Sequence, residues 1–106
     1  ALANIGMLEK LTTLGISGKI VDKNNEIEML CGKNEKMYRK IPERKFFSLV
    51  AWGGDVTGID LIGFSYPLND ATLRPSQSLG ISNELADETG ILRMKTGKLL
   101  VIRSAD

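Results

Sequence analysis

Along the first stretch of the chain, apolar side chains recur at helical spacing. Ile5, Leu8 and Leu11, with Leu2 and Met7 close by, predict a short amphipathic helix over residues 2–13 that Gly15 ends. Gly6 in its interior weakens the pattern. From residue 16 onward the period changes towards two. Residues 16–22 and 26–31 flank the polar turn Lys23-Asn24-Asn25 and predict a hairpin whose strands each keep one wet face. Residues 33–36 read as a second polar turn, and residues 37–41 as a strand stopped by Pro42, which has no amide to donate. Residues 45–52, KFFSLVAW, carry apolar groups on both alternating faces, which predicts a strand covered on both sides at the centre of the core. Gly53-Gly54-Asp55 breaks it. Residues 56–66 resume as a strand in which Gly58 and Gly63 permit a bulge. Residues 67–80, with two prolines and many small polar residues, predict the longest loop, and residues 82–88 a short helix capped by Ser82. Residues 91–94, the turn Lys95-Thr96-Gly97 and residues 98–103 close the chain as a hairpin.

About six or seven short strands, one or two small helices and no βαβ alternation make the expected fold mainly β, a β-rich α+β domain. The expected architecture is a small twisted antiparallel barrel or sandwich with a short N-terminal helix, in a single domain covering residues 1–106. One further pattern bears on it. Residues 14–33 and 79–98 agree without a gap at eight of twenty positions: Leu14/Leu79, Gly15/Gly80, Ile16/Ile81, Ser17/Ser82, Asp22/Asp87, Met29/Met94, Gly32/Gly97 and Lys33/Lys98. This weak internal repeat raises the expectation of two related units about a pseudo-twofold. The alternative is that LGIS recurs by chance and twice begins a strand.

Composition narrows function mainly by exclusion. A chain of 106 residues with 42% hydrophobic and 25% charged residues is an ordinary globular domain. Fourteen basic against thirteen acidic residues leave +1, so no overall charge draws it to nucleic acid or membrane. Residues 46–52 are far too short an apolar run to cross a bilayer, and residues 1–14 lack the basic start and apolar centre of a secretory signal. No membrane partner is expected, and the default location is the cytoplasm, or a virion for a structural subunit. The single cysteine, Cys31, excludes an internal disulfide and fits a reducing compartment. It alternates with Ile27 and Met29, so a buried structural thiol is expected.

Histidine is absent, which removes the imidazole base, the imidazole metal ligand and the centre of every serine or cysteine triad. With one cysteine, a zinc site within the chain is excluded too. No phosphate-binding glycine loop is present. No metal and no cofactor are predicted. Asp55, Asp60, Asp70 and Asn69 lie near turns, where backbone capping is the expected role ahead of calcium or sugar binding. The sharpest local signal is charge. In residues 33–45, Lys33, Lys36, Arg39, Lys40, Arg44 and Lys45 face Glu35 and Glu43 for a net of +4, with Tyr38 inside the run. Lys36, Tyr38, Arg39, Lys40, Arg44 and Lys45 form a candidate nucleic-acid surface, set against a solvated basic edge that discourages sheet pairing.

The first functional expectation is therefore a non-enzymatic interaction or assembly module whose partner is itself or another protein, through Leu2, Ile5, Leu8 and Leu11 or an open sheet edge. The alternatives are a nucleic-acid-binding β-barrel using residues 33–45, and a small enzyme with Asp55 or Asp60 as its acid–base group.

Overall fold

The helical spacing is realised as α1, Leu2–Thr13, in the computed structural model of the chain. The structure describes residues 2–75 and 77–105, and of residues 2–4 and 78–82 the backbone only. Gly15 ends the helix in the left-handed region at φ 77, with its amide bonded to the Thr12 carbonyl. The strands are β1 (Lys19–Val21), β2 (Asn25–Cys31), β3 (Asn34–Arg39), β4 (Phe46–Ala51), β5 (Val56–Ile62), β6 (Leu68–Leu73), β7 (Ser78–Glu84), β8 (Thr89–Met94) and β9 (Lys98–Ser104). They form a five-stranded sheet in the order β1-β2-β9-β4-β7 and a four-stranded sheet in the order β3-β8-β5-β6. Neighbours in both sheets run antiparallel.

The inner faces of the two sheets enclose the main core, with Phe47, Leu49, Val56, Ile59, Leu73, Leu92, Leu99 and Val101 among its buried side chains. Outside the five-stranded sheet, Leu8 of α1 packs on Met29 and Leu100, with Ile5, Ile20, Ile27, Val50 and Trp52 around them. The two-sided apolar pattern of β4 follows from these layers. Phe47, Leu49 and Ala51 face the opposite sheet, while Val50 turns to the helix side. Among the described residues, no helix is long and apolar enough to cross a membrane.

The mainly β expectation holds, with nine strands in two antiparallel sheets where six or seven were expected. Five local readings are corrected, the first being the closing hairpin: β8 pairs with β3 and β5, and β9 with β2 and β4, so the two strands lie in different sheets. The polar turn at 33–36 shortens because Asn34 already pairs with Met94, so β3 starts there. Within 67–80, the loop gives way to β6 and the start of β7; β6 lies at a sheet edge, where a half-exposed strand needs few apolar residues. The short helix at 82–88 is absent: Phe46 pairs with Glu84 and Phe47 with Asn83, so tertiary pairing overrides the helical preference of Glu-Leu-Ala. Ser82, its supposed cap, has a side chain outside the described residues. Cys31 is exposed at the end of β2, because the strand's buried stretch stops at Leu30.

The repeat divides. Its LGIS halves differ, since residues 14–17 connect α1 to β1 whereas residues 79–82 lie within β7. Its later halves are two chain corners, β2 to β3 and β8 to β9, each crossing from one sheet to the other. β2 pairs with β9 and β3 with β8, so exchanging the corners carries one pair onto the other. Gly32 and Gly97 meet at the crossing, the Gly32 amide donating to the Gly97 carbonyl at 2.9 Å.

Lys98 Nζ donates to Glu9 Oε2 at 2.6 Å and ties α1 to β9. That hydrogen bond holds the Glu9 carboxyl below its usual range and raises Lys98. Because the folded-state value of Glu9 is depressed, its contribution is present above the unfolded value and lost as pH falls through the folded one. The melting temperature of Glu9→Gln should therefore lie below wild type near neutrality. The gap should close only as pH falls below the ordinary glutamate range, through the depressed value that Glu9 has in the folded protein. A gap independent of pH would show that the carboxylate charge is not what holds the helix.

Candidate functional site

Two polar features break the apolar pattern of the sandwich. The first arises because Glu28 in β2 and Arg103 in β9 occupy inward positions that alternation gives to Leu30, Leu99 and Val101. Each is only 6% exposed. Tyr38 Oη donates to Glu28 Oε1 and Lys36 Nζ donates to Glu28 Oε2, so both carboxylate oxygens are engaged. Burial, together with the Glu28 charge, pushes the Tyr38 hydroxyl far above the usual phenol range and keeps it a donor. The Arg103 guanidinium lies 4.5 Å from the Phe47 ring and 5.6 Å from the Tyr38 ring. Its Nη2 donates to the Arg39 carbonyl at 2.6 Å, which staples β9 to β3 in the other sheet. Burial lowers the Arg103 pKa from its ordinary value.

Beside this cluster, a groove of about 780 Å³ runs between the α1–β1 connection and the β2–β3 corner, lined in part by Lys19, Glu28, Cys31 and Lys36. Hydrogen bonding engages the Glu28 carboxylate on both oxygens, whereas the buried Nε of Arg103 has no hydrogen-bond partner among the described residues.

The second feature lies beyond β5. Gly63, at φ 82, passes so close to β8 that an added methyl would sit 2.7 Å from the Thr89 carbonyl oxygen. From there Phe64 bridges to Leu85 and the Ser65 amide donates to the Glu84 carbonyl at 2.8 Å. At the next step a side chain takes over from the backbone. Asn83 Oδ1 accepts from the Tyr66 amide at 3.0 Å, and Asn83 Nδ2 donates to the Tyr66 carbonyl at 3.1 Å. Oδ1 also accepts from the Glu84 amide at 2.9 Å. Asn83 is 2% exposed, whereas the Tyr66 side chain stands 65% exposed. Of the exposed large apolar side chains among the described residues, Tyr66 is the one aromatic. The result is a flat ring in solvent on a backbone fixed from both sides.

Part of the basic segment is engaged within the chain. Lys36 is bound to Glu28, and Tyr38 is buried beneath it, with no ring face open for stacking. Arg44 Nη2 donates to the Asp22 carbonyl at 2.9 Å, and Lys45 Nζ lies 5.0 Å over the Phe46 ring. Arg39 and Lys40 are exposed. Of the apolar helix residues, Ile5 and Leu8 pack within the chain, Leu11 lies half-buried over Gly18, and Leu2 has a side chain outside the described residues. The carboxylates do turn chemistry: Asp60 Oδ1 accepts from the Asp70 amide at 2.7 Å, and Asp70 sits at φ 50. Asp55 and Asn69 are exposed.

Sequence reasoning missed Tyr66 and Asn83. Their link spans seventeen positions and rests on a side chain imitating backbone; the local signal was an aromatic followed by Pro67 after a glycine break.

Comparison with known proteins supplies what geometry leaves open. The sequence matches the family described as thiamin pyrophosphokinase, vitamin B1 binding domain, over residues 33–100. It is 33% identical over 105 residues to the thiamine pyrophosphokinase of Bacillus subtilis, covering 99% of this chain and 49% of that protein. A crystal structure of the Bacillus subtilis enzyme matches with a TM-score of 0.94, again over 99% of this chain and 49% of that one. Thiamin pyrophosphokinase from Geobacillus thermodenitrificans matches at 26% identity with a TM-score of 0.86, over 99% of this chain and 47% of its own. This chain thus spans about half the length of the relatives it matches. These relatives are enzymes, which overturns the expectation of a non-enzymatic assembly module, structural subunit or nucleic-acid-binding barrel. The missing histidine excluded imidazole chemistry. It did not exclude a domain whose task within an enzyme is to hold a substrate.

Proposed function

Since this chain belongs to the thiamin pyrophosphokinase vitamin B1 binding domain family, we propose that it binds thiamin and orients it for pyrophosphoryl transfer within a longer enzyme. The match over residues 33–100 carries this reading. Tyr66 and Asn83 both lie inside that span, whereas Glu28 and Arg103 of the charged cluster lie outside it. Thiamin presents two flat heterocycles, an aminopyrimidine and a cationic thiazolium. An exposed aromatic face attracts such a cation through its quadrupole, and offset stacking adds dispersion. Tyr66 offers that face. Its role is to bind and align, so that the thiamin hydroxyl is held towards the donor; no transfer step is assigned to the residues described above. An exposed, unpaired Cys31 supports a reducing, cytoplasmic setting for this activity.

Calorimetric titration tests the platform. Tyr66→Ala should weaken thiamin binding about tenfold, the worth of one partly desolvated stacking contact, while Tyr66→Phe retains most of the affinity. Unchanged affinity in Tyr66→Ala would remove Tyr66 from the site.

A further inference from the structure

We propose that Asn83 is a positioning residue, whose buried amide sets the plane in which the Tyr66 ring meets thiamin; this rests on the thiamin-binding reading above. The segment after Gly63 runs alongside the end of β7, pairing Phe64 with Leu85 and Ser65 with Glu84. A further rung would need a backbone donor and acceptor facing Tyr66. Asn83 itself is paired with Phe47 of β4. Its side chain supplies the rung instead, because a primary amide carries one carbonyl and one NH₂ and can reproduce both halves of a strand neighbour. At 2% exposure, water does not compete for these bonds. Pro67 restricts Tyr66 to extended backbone from the other side.

The arrangement is asymmetric in a way that points to function. The Tyr66 ring is mostly in solvent and contributes little to the core, yet its backbone is held by three consecutive restraints: the Ser65 bond, the Asn83 amide and Pro67. Fixing the backbone that carries an aromatic ring before its ligand arrives removes part of the ordering cost of binding. Asn83 touches Tyr66 and acts through it.

A double-mutant cycle on thiamin affinity, measured by calorimetry on the intact protein, tests this. Asn83→Ala should weaken thiamin binding about fivefold to tenfold, the size of one lost orienting hydrogen-bond pair. In a Tyr66→Ala background the same change should leave affinity unaltered, while the drop in melting temperature is equal in both backgrounds. If Asn83→Ala does not fold, Asn83→Asp serves. It keeps the acceptor for the Tyr66 and Glu84 amides, loses the donor to the Tyr66 carbonyl, and should show the same dependence on Tyr66. Factors that multiply in the double variant, or full affinity in either Asn83 variant, would overturn the positioning role and leave the Tyr66 platform standing. A Tyr66→Ala protein that binds thiamin like wild type would instead overturn the platform, and the role of Asn83 with it.

Discussion

Alanine at Gly97 is expected to lower the free energy of unfolding by about 3 kcal/mol, against about 1 kcal/mol for alanine at Gly32, its counterpart in the repeat. Both glycines stand at corners where the chain leaves one sheet for the other, and both have positive φ, 103 at Gly97 and 69 at Gly32. What surrounds them differs. A methyl at Gly97 would overlap the Asp55 carbonyl oxygen and lie 2.9 Å from Val56 Cα, and neither backbone atom can swing aside. At Gly32 nothing stands within 4 Å of the added methyl. Gly32→Ala therefore carries only the left-handed strain of an L residue, about 1–2 kcal/mol at most. Gly97→Ala adds overpacking of about 2 kcal/mol against the start of β5. Urea denaturation followed by fluorescence of the single tryptophan, Trp52, reads both losses. Equal losses would mean that the β4–β5 connection yields to the corner, and that the close approach at Gly97 is not what holds the sheets together there.

This contrast explains how the repeat was legible and where it misled. Identity at Gly32/Gly97 reflects two corners with one geometric need, a glycine in the left-handed region where two sheets cross. Identity at Leu14–Ser17 and Leu79–Ser82 has no such shared need, since one copy follows a helix and the other pairs with β4. Periodicity found α1, β2, β4, β5, β8 and β9 because their apolar spacing is strong and local, but it could not show that β8 and β9 part into different sheets instead of pairing as a hairpin. It failed at β6, a half-exposed edge strand with few apolar residues, and at β7, whose strand character comes from pairing with β4, distant in sequence. The site was harder still. Charge is visible in a sequence, so residues 33–45 stood out; that Lys36 is spent on Glu28, and Tyr38 turned inward to the same carboxylate, depends on a corner folding back. Tyr66 gave no periodic signal, because an exposed ring on a turn belongs to no apolar face.

The Glu28 cluster carries the second large effect, and its sign depends on how many partners are removed. Glu28→Ala should destabilise by about 3 kcal/mol, because it leaves the buried Tyr38 hydroxyl without its acceptor and opens a gap beneath Lys36. Lys36 is itself partly exposed and can turn to water, so most of the loss belongs to Tyr38. Tyr38→Phe alone should cost about 1 kcal/mol, since Glu28 keeps Lys36 as a partner. Glu28→Leu combined with Tyr38→Phe should then recover all but about 1 kcal/mol, because removing donor and acceptor together leaves neither the hydroxyl nor the carboxylate of this pair buried without a partner. Additive losses in the double variant would show that Glu28 acts on some other group, with Arg103 next in line through its contact with the Tyr38 ring. Thiamin affinity should be unchanged in the double variant, because the platform at Tyr66 is held by Asn83 and not by this cluster. A buried carboxylate that matters for folding and not for ligand would separate the most conspicuous charge in the domain from its chemistry.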